Sequence, residues 1–288
     1  MLNIRAIHDA IDKFVLKGGP ESYHIDIPEQ KPRGYLGMSA LGEECRRKTW
    51  YEFRKVAKVS FPSRMLRLFR SGDIYEYRFI SLLRGIGFKI FEKDEDGKQF
   101  KATDFGGHLS GSMDGVGIAP KKFWVKGAAP HPFLTEYKTA NSDGFKRFVK
   151  DGVKKANIKY WTQCQAYMGY NELEGCLFCV VNKNDEDLHF EWVPFDKFAF
   201  RRLVASAEDL LSAEAPPERI EFASPSFWKC KNSKFRCAFY DICFKNAAAI
   251  KSCRSCKFAV PAEEGAWKCT KGQVYGEVCA KYKDITKA

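Results

Sequence analysis

The sequence has no apolar run approaching the roughly 18 residues that a helix needs to cross a membrane. Its opening, MLNIRAIHDAIDKF, lacks the unbroken apolar core of a secretory signal. It has no internal repeat and no low-complexity tail, which excludes stacked-repeat and compositionally biased readings. Acidic charge is short as well: 36 acidic residues against 48 basic ones leave a formal net charge of +12. That surplus fits a polyanionic partner such as nucleic acid, although many basic proteins bind none. What is present suffices for a real core, with 45% hydrophobic and 15% aromatic residues in a chain of 288, enough for one large domain or two small ones. The expected compartment is the cytoplasm, with no membrane partner. Eleven cysteines in a chain without an export signal then point to metal ligation, because a reducing compartment disfavours disulfides.

Ile4, Ile7, Ile11 and Phe14 or Val15 recur at helical spacing over residues 3–16, and Lys17-Gly18-Gly19-Pro20 reads as a stop. A polar, proline-containing stretch follows to about Gly37. Ser39 stands where it would cap a helix running through Cys45 to Tyr51, with Gly42 at the position a capping box gives to Glu or Gln. Residues 65–85 read as a long helix, with Leu66, Phe69, Phe79 and Leu82 or Leu83 in its apolar stripe and Glu76 near that stripe, one turn past Gly72. Alternating runs at Phe88–Phe91, Phe100–Thr103, His108–Gly117 and Phe133–Thr139 suggest a curled antiparallel sheet. Next come a basic helix at Gly144–Lys155, a second from about Lys159 to Met168, a strand pair at Cys176–Asn182 and His189–Val193, and a helix at Phe195–Ala213. Pro216-Pro217 breaks the chain after it. This order implies an α/β core with a largely mixed sheet.

Chemistry concentrates between Gly107 and Thr139. Strand periodicity puts Glu136 and Lys138 on one face. If the runs holding Asp114 and Glu136 pair as a hairpin, two carboxylates face each other across the ladder with an ammonium beside them. Those are hard oxygen donors for a divalent cation, the outline of a phosphodiesterase site. Taken singly, each residue would be an ordinary solvated charge on a half-buried sheet. Gln163 and Tyr167 lie four apart on one helix face, so they would either reach a common ligand or simply pack. Lys146, Arg147, Lys150, Lys154 and Lys155 form either a backbone-tracking stripe or a solvated face. Phe148, Tyr160 and Trp161 are candidates to stack on unpaired bases.

Seven of the cysteines follow residue 229. Cys230, Cys237 and Cys243 need a fourth thiol to close a site. Cys45, remote in sequence but similarly flanked by basic and aromatic residues, is the candidate; its alternative is a buried free cysteine. Cys253-x2-Cys256 with Cys269 and Cys279 is complete by itself and resembles a zinc ribbon or knuckle. Cys164, Cys176 and Cys179 fall on core elements and read as buried free thiols.

Gly-x3-Glu (Gly72, Glu76), Gly-Ser-x-Asp-Gly (Gly111 to Gly115), Glu-x-Lys (Glu136, Lys138) and Tyr-x2-Gln-x3-Tyr (Tyr160, Gln163, Tyr167), in that order, resemble the PD-(D/E)xK nuclease superfamily. Within it they resemble the RecB-like and CRISPR-associated exonucleases, often phage-encoded, that carry one early and three late cysteines for a 4Fe-4S cluster. The resemblance covers about residues 36–245, with Met113 in place of the name-giving proline. It implies an α/β, restriction-endonuclease-like core over residues 37–247, its mixed central sheet flanked by helices. An N-terminal helical segment (1–36) precedes that core and a zinc-ribbon-like, cysteine-rich module (248–288) follows it. It further implies Mg2+ or Mn2+ on Asp114, Glu136 and the Tyr137 carbonyl, with Glu76 as a further ligand. Lys138 would orient or deprotonate the attacking water, and Gln163 and Tyr167 would position the substrate or Lys138. Cys45, Cys230, Cys237 and Cys243 would hold the 4Fe-4S cluster, zinc being the alternative because six residues separate Cys230 from Cys237. The expected function is a DNA exonuclease acting at single-stranded or frayed ends alongside recombination or replication proteins, in the host cytoplasm if the chain is viral. The rival is a catalytically silent nucleic-acid-binding accessory protein whose metals are structural.

Overall fold

The computed structural model describes residues 1–16, 33–59, 63–232 and 236–287. The chain divides into two compact units: Met1–Lys31, Phe61–Ala102 and Gly111–Arg201 form the first, and Pro32–Ser60, Thr103–Ser110 and Arg202–Ala288 the second. In chain order the elements are α1 (Ile4–Leu16), β1 (Leu36–Gly37), α2 (Arg46–Arg54), α3 (Ser63–Gly85), β2 (Lys89–Phe91), β3 (Lys101–Asp104), β4 (Leu109–Ser112), β5 (Gly115–Ile118) and β6 (Phe133–Ala140). They continue with α4 (Ser142–Ala156), α5 (Ile158–Tyr170), β7 (Gly175–Asn182), β8 (Leu188–Pro194), α6 (Lys197–Ser212), α7 (Tyr240–Phe244), β9 (Ala259–Pro261) and β10 (Trp267–Cys269). Among the described residues no helix is long and apolar enough to cross a membrane.

The first unit is a mixed five-stranded sheet, ordered β2-β5-β6-β7-β8, flanked by helices. Every neighbouring pair is antiparallel except β6–β7, which is parallel from Leu134↔Cys176 to Ala140↔Asn182. The parallel pair follows from its connection, because α4 and α5 supply the long crossover that returns the chain in the same direction. β7 reads GCLFCVVN and is buried at every position, as a central strand covered on both faces must be. On one face Ile7 and Ile11 of α1 and Phe79, Ile80 and Leu83 of α3 pack with Tyr137, Cys179 and Phe190 of the sheet. On the other, Phe148 of α4 and Tyr160 of α5 close over Phe178. Asn141 caps α4 by accepting from the Gly144 N–H at 3.0 Å, and Asn157 caps α5 by accepting from the Lys159 N–H at 3.1 Å.

In the second unit β1 pairs in parallel with β4, Leu36 opposite Leu109, and β9 and β10 form a short antiparallel pair. Two sequence expectations change here. The helix expected from Ser39 begins instead at Arg46 with Cys45 as its cap, and Met38–Ala40 is one separate 3-10 turn capped by Gly37. Gly42 accounts for the break, since glycine is a poor helix former and the chain turns there through Leu41 N–H to Met38 O and Glu43 N–H to Ala40 O. The single run expected over His108–Gly117 is two strands in different sheets, divided at Met113-Asp114. The expected stop at Lys17–Pro20 lies outside the described residues.

β5 reaches its place between β2 and β6 because it is GVGI. A Cβ on Gly117 would lie 2.6 Å from the ring of Phe133, which is fully buried, and one on Gly115 would lie 2.9 Å from Thr135 Oγ1. Gly117→Ala is therefore expected to destabilise the protein by about 1–3 kcal/mol through overpacking, read from the midpoint of a denaturant titration.

Candidate active site

β6 reads FLTEYKTA, and its first five residues are buried although Glu136 is among them. Alternation turns Tyr137 toward α3, where it stacks on Phe79 at 5.5 Å, and leaves Glu136 and Lys138 together on the opposite face. The β5–β6 register sets Gly115 against Thr135, so Asp114, one residue earlier, stands across from Glu136. Asp114 Oδ2 accepts the Tyr137 N–H at 3.0 Å and lies 3.9 Å from Lys138 Nζ. Gln163, aimed from α5, donates to Glu136 Oε1 at 2.9 Å, and Lys138 donates to the same oxygen. Glu136 Oε2 has no hydrogen-bond partner, in a residue that is 0% exposed. The Lys138 ammonium sits 5.3 Å from the centre of the Tyr160 ring.

These groups perturb one another strongly. Burial, reinforced by the charge of Asp114, pushes the Glu136 carboxyl up to about 7 and that of Glu76 on α3 up to about 9. Burial by itself would lower the Lys138 ammonium, but Glu136 and Asp114 beside it hold it above its ordinary value. Three carboxylates thus share one ammonium, and one buried oxygen has no donor. A divalent cation would relieve both defects. Among the described residues no group of three Asp, Glu, His or Cys side chains is drawn tightly enough to enclose an ion. Mg2+, however, is usually held by one or two carboxylates and keeps several waters, so Asp114 and Glu136 suit it without a closed cage.

Of the residues marked in the sequence, Glu76, Asp114, Glu136, Lys138 and Gln163 come within electrostatic or hydrogen-bonding reach of one another. Tyr167 is 3% exposed one turn beyond Gln163, where its carbonyl accepts from Asn171 Nδ2 at 3.0 Å. Phe148 and Trp161 do not fit the base-stacking expectation, because the packing of α4 and α5 on the sheet leaves them 5% and 8% exposed. Lys146, Arg147, Lys150, Lys154 and Lys155 are exposed on α4, with Lys154 lying 4.3 Å over the Trp161 ring. Asp73 was missed: burial raises its carboxyl, with Arg70 lowering it and Asp114 adding to the rise. The available signal was its spacing, three residues before Glu76 on one helix face.

In the second unit Cys45, Cys230, Cys237 and Cys243 line one small pocket together with Arg47, Lys48 and Tyr51. Burial raises the Cys45, Cys230 and Cys237 thiols, and neighbouring thiols of the same set add to the rise. All eleven cysteines are free of disulfides. The four thiols share this pocket without being drawn together tightly enough to enclose an ion as they stand; their donor type is the one soft metals and iron-sulfur clusters use.

The carboxylate site has a definite pH signature. Glu136 and Glu76 bind protons more tightly folded than unfolded, so their stabilising contribution is complete below about 4.5 and is lost as pH rises through about 7 and about 9. In chelator the melting temperature is expected to fall across that window. Mn2+ should restore it by a margin that grows with pH, and the margin should shrink in Glu136→Gln, as read by thermal melts with and without metal.

No family model and no curated protein matches the sequence. A solved structure described as SSO0001 is similar at 18% identity and a TM-score of 0.39, over 82% of this chain and 93% of that one. The alkaline exonuclease LHK-Exo from Laribacter hongkongensis is similar at 14% identity and a TM-score of 0.43, over 63% of this chain and 88% of that one. Its complex with dAMP gives 15% identity and 0.43, over 62% and 87%. Likenesses this loose carry no functional weight.

Proposed function

We propose that the chain is a divalent-metal-dependent deoxyribonuclease that hydrolyses phosphodiester bonds, acting as an exonuclease at single-stranded or frayed ends. One observation carries the reading: the fully buried Glu136 keeps Oε2 without a donor, while Asp114 faces it and Lys138 reaches both. Mg2+ or Mn2+, when bound, supplies Lewis-acid charge at the scissile phosphate. Asp114, Glu136, the Tyr137 carbonyl and Glu76 are the residues that would hold it. Asp114 is fixed for this by the Tyr137 N–H, and Glu136 by Gln163.

Lys138 has two tasks in this arrangement. Its ammonium, kept protonated by two carboxylates, offsets charge developing on the phosphoryl oxygens and directs the attacking water. The Tyr160 ring confines it to the side of Glu136 and Asp114. Gln163 and Tyr167 position these groups from α5. The exposed lysines and arginine of α4 would track the DNA backbone, a contact that weakens steeply with salt. Cys45, Cys230, Cys237 and Cys243 would carry a 4Fe-4S cluster, with zinc as the alternative on the same thiols. Recombination and replication proteins are the partners such an activity would serve.

The test is cleavage of end-labelled linear single-stranded, linear duplex and circular DNA with Mg2+ or Mn2+. Metal-dependent loss of the linear substrates with survival of circles is expected. Asp114→Ala, Glu136→Gln and Lys138→Ala should each lower the rate by about 100-fold or more. A folded, metal-replete protein that binds DNA but cuts none of the three would replace this reading with the silent binding protein.

A further inference from the structure

Cys253, Cys256, Cys269 and Cys279 also line one small pocket, with Tyr275, Tyr282 and Glu277. The segment around them has few buried apolar side chains of its own. Among the described residues beyond 245, the buried apolar side chains are Ala249, Ala259, Trp267 and Ile285, and its two strands have three residues each. With so small a core of its own, the segment depends on its contacts with the rest of the second unit, such as Trp267 on Phe53 and His108 Nε2 with Ala262 O at 2.7 Å, and a metal would add a further staple.

The backbone is folded around the thiols. Cys256 N–H donates to Cys253 O, Gly272 N–H to Cys269 O and Tyr282 N–H to Cys279 O, each at 3.1 Å, so every cysteine of the set belongs to a tight turn. Gly276 N–H points at Cys253 Sγ at 3.3 Å, and the same sulfur lies 3.5 Å from Glu277 O, so two backbone groups fix its place.

Charge leads to the same place. The guanidinium groups of Arg254 and Arg54 lie 4.1 and 4.9 Å from the Trp267 ring. Arg54, 3% exposed, donates to Ala259 O at 2.9 Å and Cys256 O at 2.7 Å. Arg254 donates to Gly34 O at 2.8 Å and to Phe53 O. Both Nε atoms are buried and unpartnered, and the ion pairs of the described residues include neither arginine. A buried Arg54 and a half-buried Arg254, met by carbonyl oxygens and aromatic rings and by no carboxylate, are costly as a pair of like charges. Four thiolates around one divalent ion leave two net negative charges, the compensation this pair lacks.

We propose that Cys253, Cys256, Cys269 and Cys279 hold one Zn2+ as a closed structural tetrathiolate, buttressed by Arg54 and Arg254. Four thiolates in a tetrahedral set with no open position suit zinc. Arg54 ends α2, so the site also pins the helix whose first residue follows Cys45. The proposal is independent of the nuclease reading, and its readouts do not involve DNA.

The test uses the full-length protein. Elemental analysis is expected to find zinc, with one equivalent lost in Cys279→Ser and at least one retained in Cys45→Ser. Cobalt-grown protein should show the charge-transfer and ligand-field absorption of a tetrahedral tetrathiolate. If Cys279→Ser does not fold, a mercurial titration of the intact wild type should release zinc as thiols are modified. Arg254→Gln, with an unchanged circular dichroism spectrum, should bind zinc about 10-fold or more weakly in competition with a chromophoric chelator. Zinc absent from the wild type, iron in its place, a zinc count unchanged by Cys279→Ser, or all zinc lost in Cys45→Ser overturns the site; unchanged affinity in Arg254→Gln overturns the buttress.

Discussion

The burial of Glu136 is the constraint on which the first unit turns. A carboxylate at the centre of a five-stranded sheet, closed off from water, cannot persist unless its oxygens are satisfied, and Gln163 with Lys138 satisfies only one of them. The sheet order follows the same requirement. β6 must lie between β5, which brings Asp114, and β7, whose apolar length excludes water, while the crossover through α4 and α5 returns the chain and delivers Gln163. A site of this kind is destabilised by its own charges until a cation is present, the usual cost of a preorganised electrostatic site.

Much of this was legible in the sequence, for identifiable reasons. Period-two alternation placed Glu136 and Lys138 on one face, and pairing the run that holds Asp114 with the run that holds Glu136 sets the two carboxylates across from each other, as β5 and β6 do. Local signals failed where the answer depended on tertiary packing. Phe148 and Trp161 look like exposed aromatics on a basic helix pair until α4 and α5 are laid on the sheet, and nothing in their own neighbourhood says which way they turn. Ser39 is a residue type that caps helices, but Gly42 in place of the capping-box Glu or Gln leaves that start unsupported, and α2 begins only at Arg46. Asp73 was missed because no motif names it, although its spacing from Glu76 was visible.

The cysteines divide by what surrounds them. Cys164 and Cys176 approach to 3.8 Å inside the core; the contact lowers the Cys164 thiol, burial and the Glu136 charge outweigh it, and burial raises Cys176, so both stay protonated and inert. The two quartets lie instead around pockets, the first bordered by Arg47, Lys48 and Arg219 and the second by Glu277, Tyr275 and Tyr282, and α2 carries Cys45 at its cap and Arg54 in its last turn. Spacing alone had separated the quartets. It could not have shown that the buried Arg54 accompanies the second, because Arg54 lies about 200 residues upstream of the backbone oxygens it binds.

The central claim is that the carboxylates on β5 and β6 are a divalent-cation site. Crystals grown in chelator, then soaked in Mn2+ and measured at the manganese absorption edge, test it most directly. The account requires an anomalous peak between Asp114 and Glu136 that is absent in Asp114→Asn. A fully soaked crystal with no peak there, or with the same peak in the variant, contradicts it.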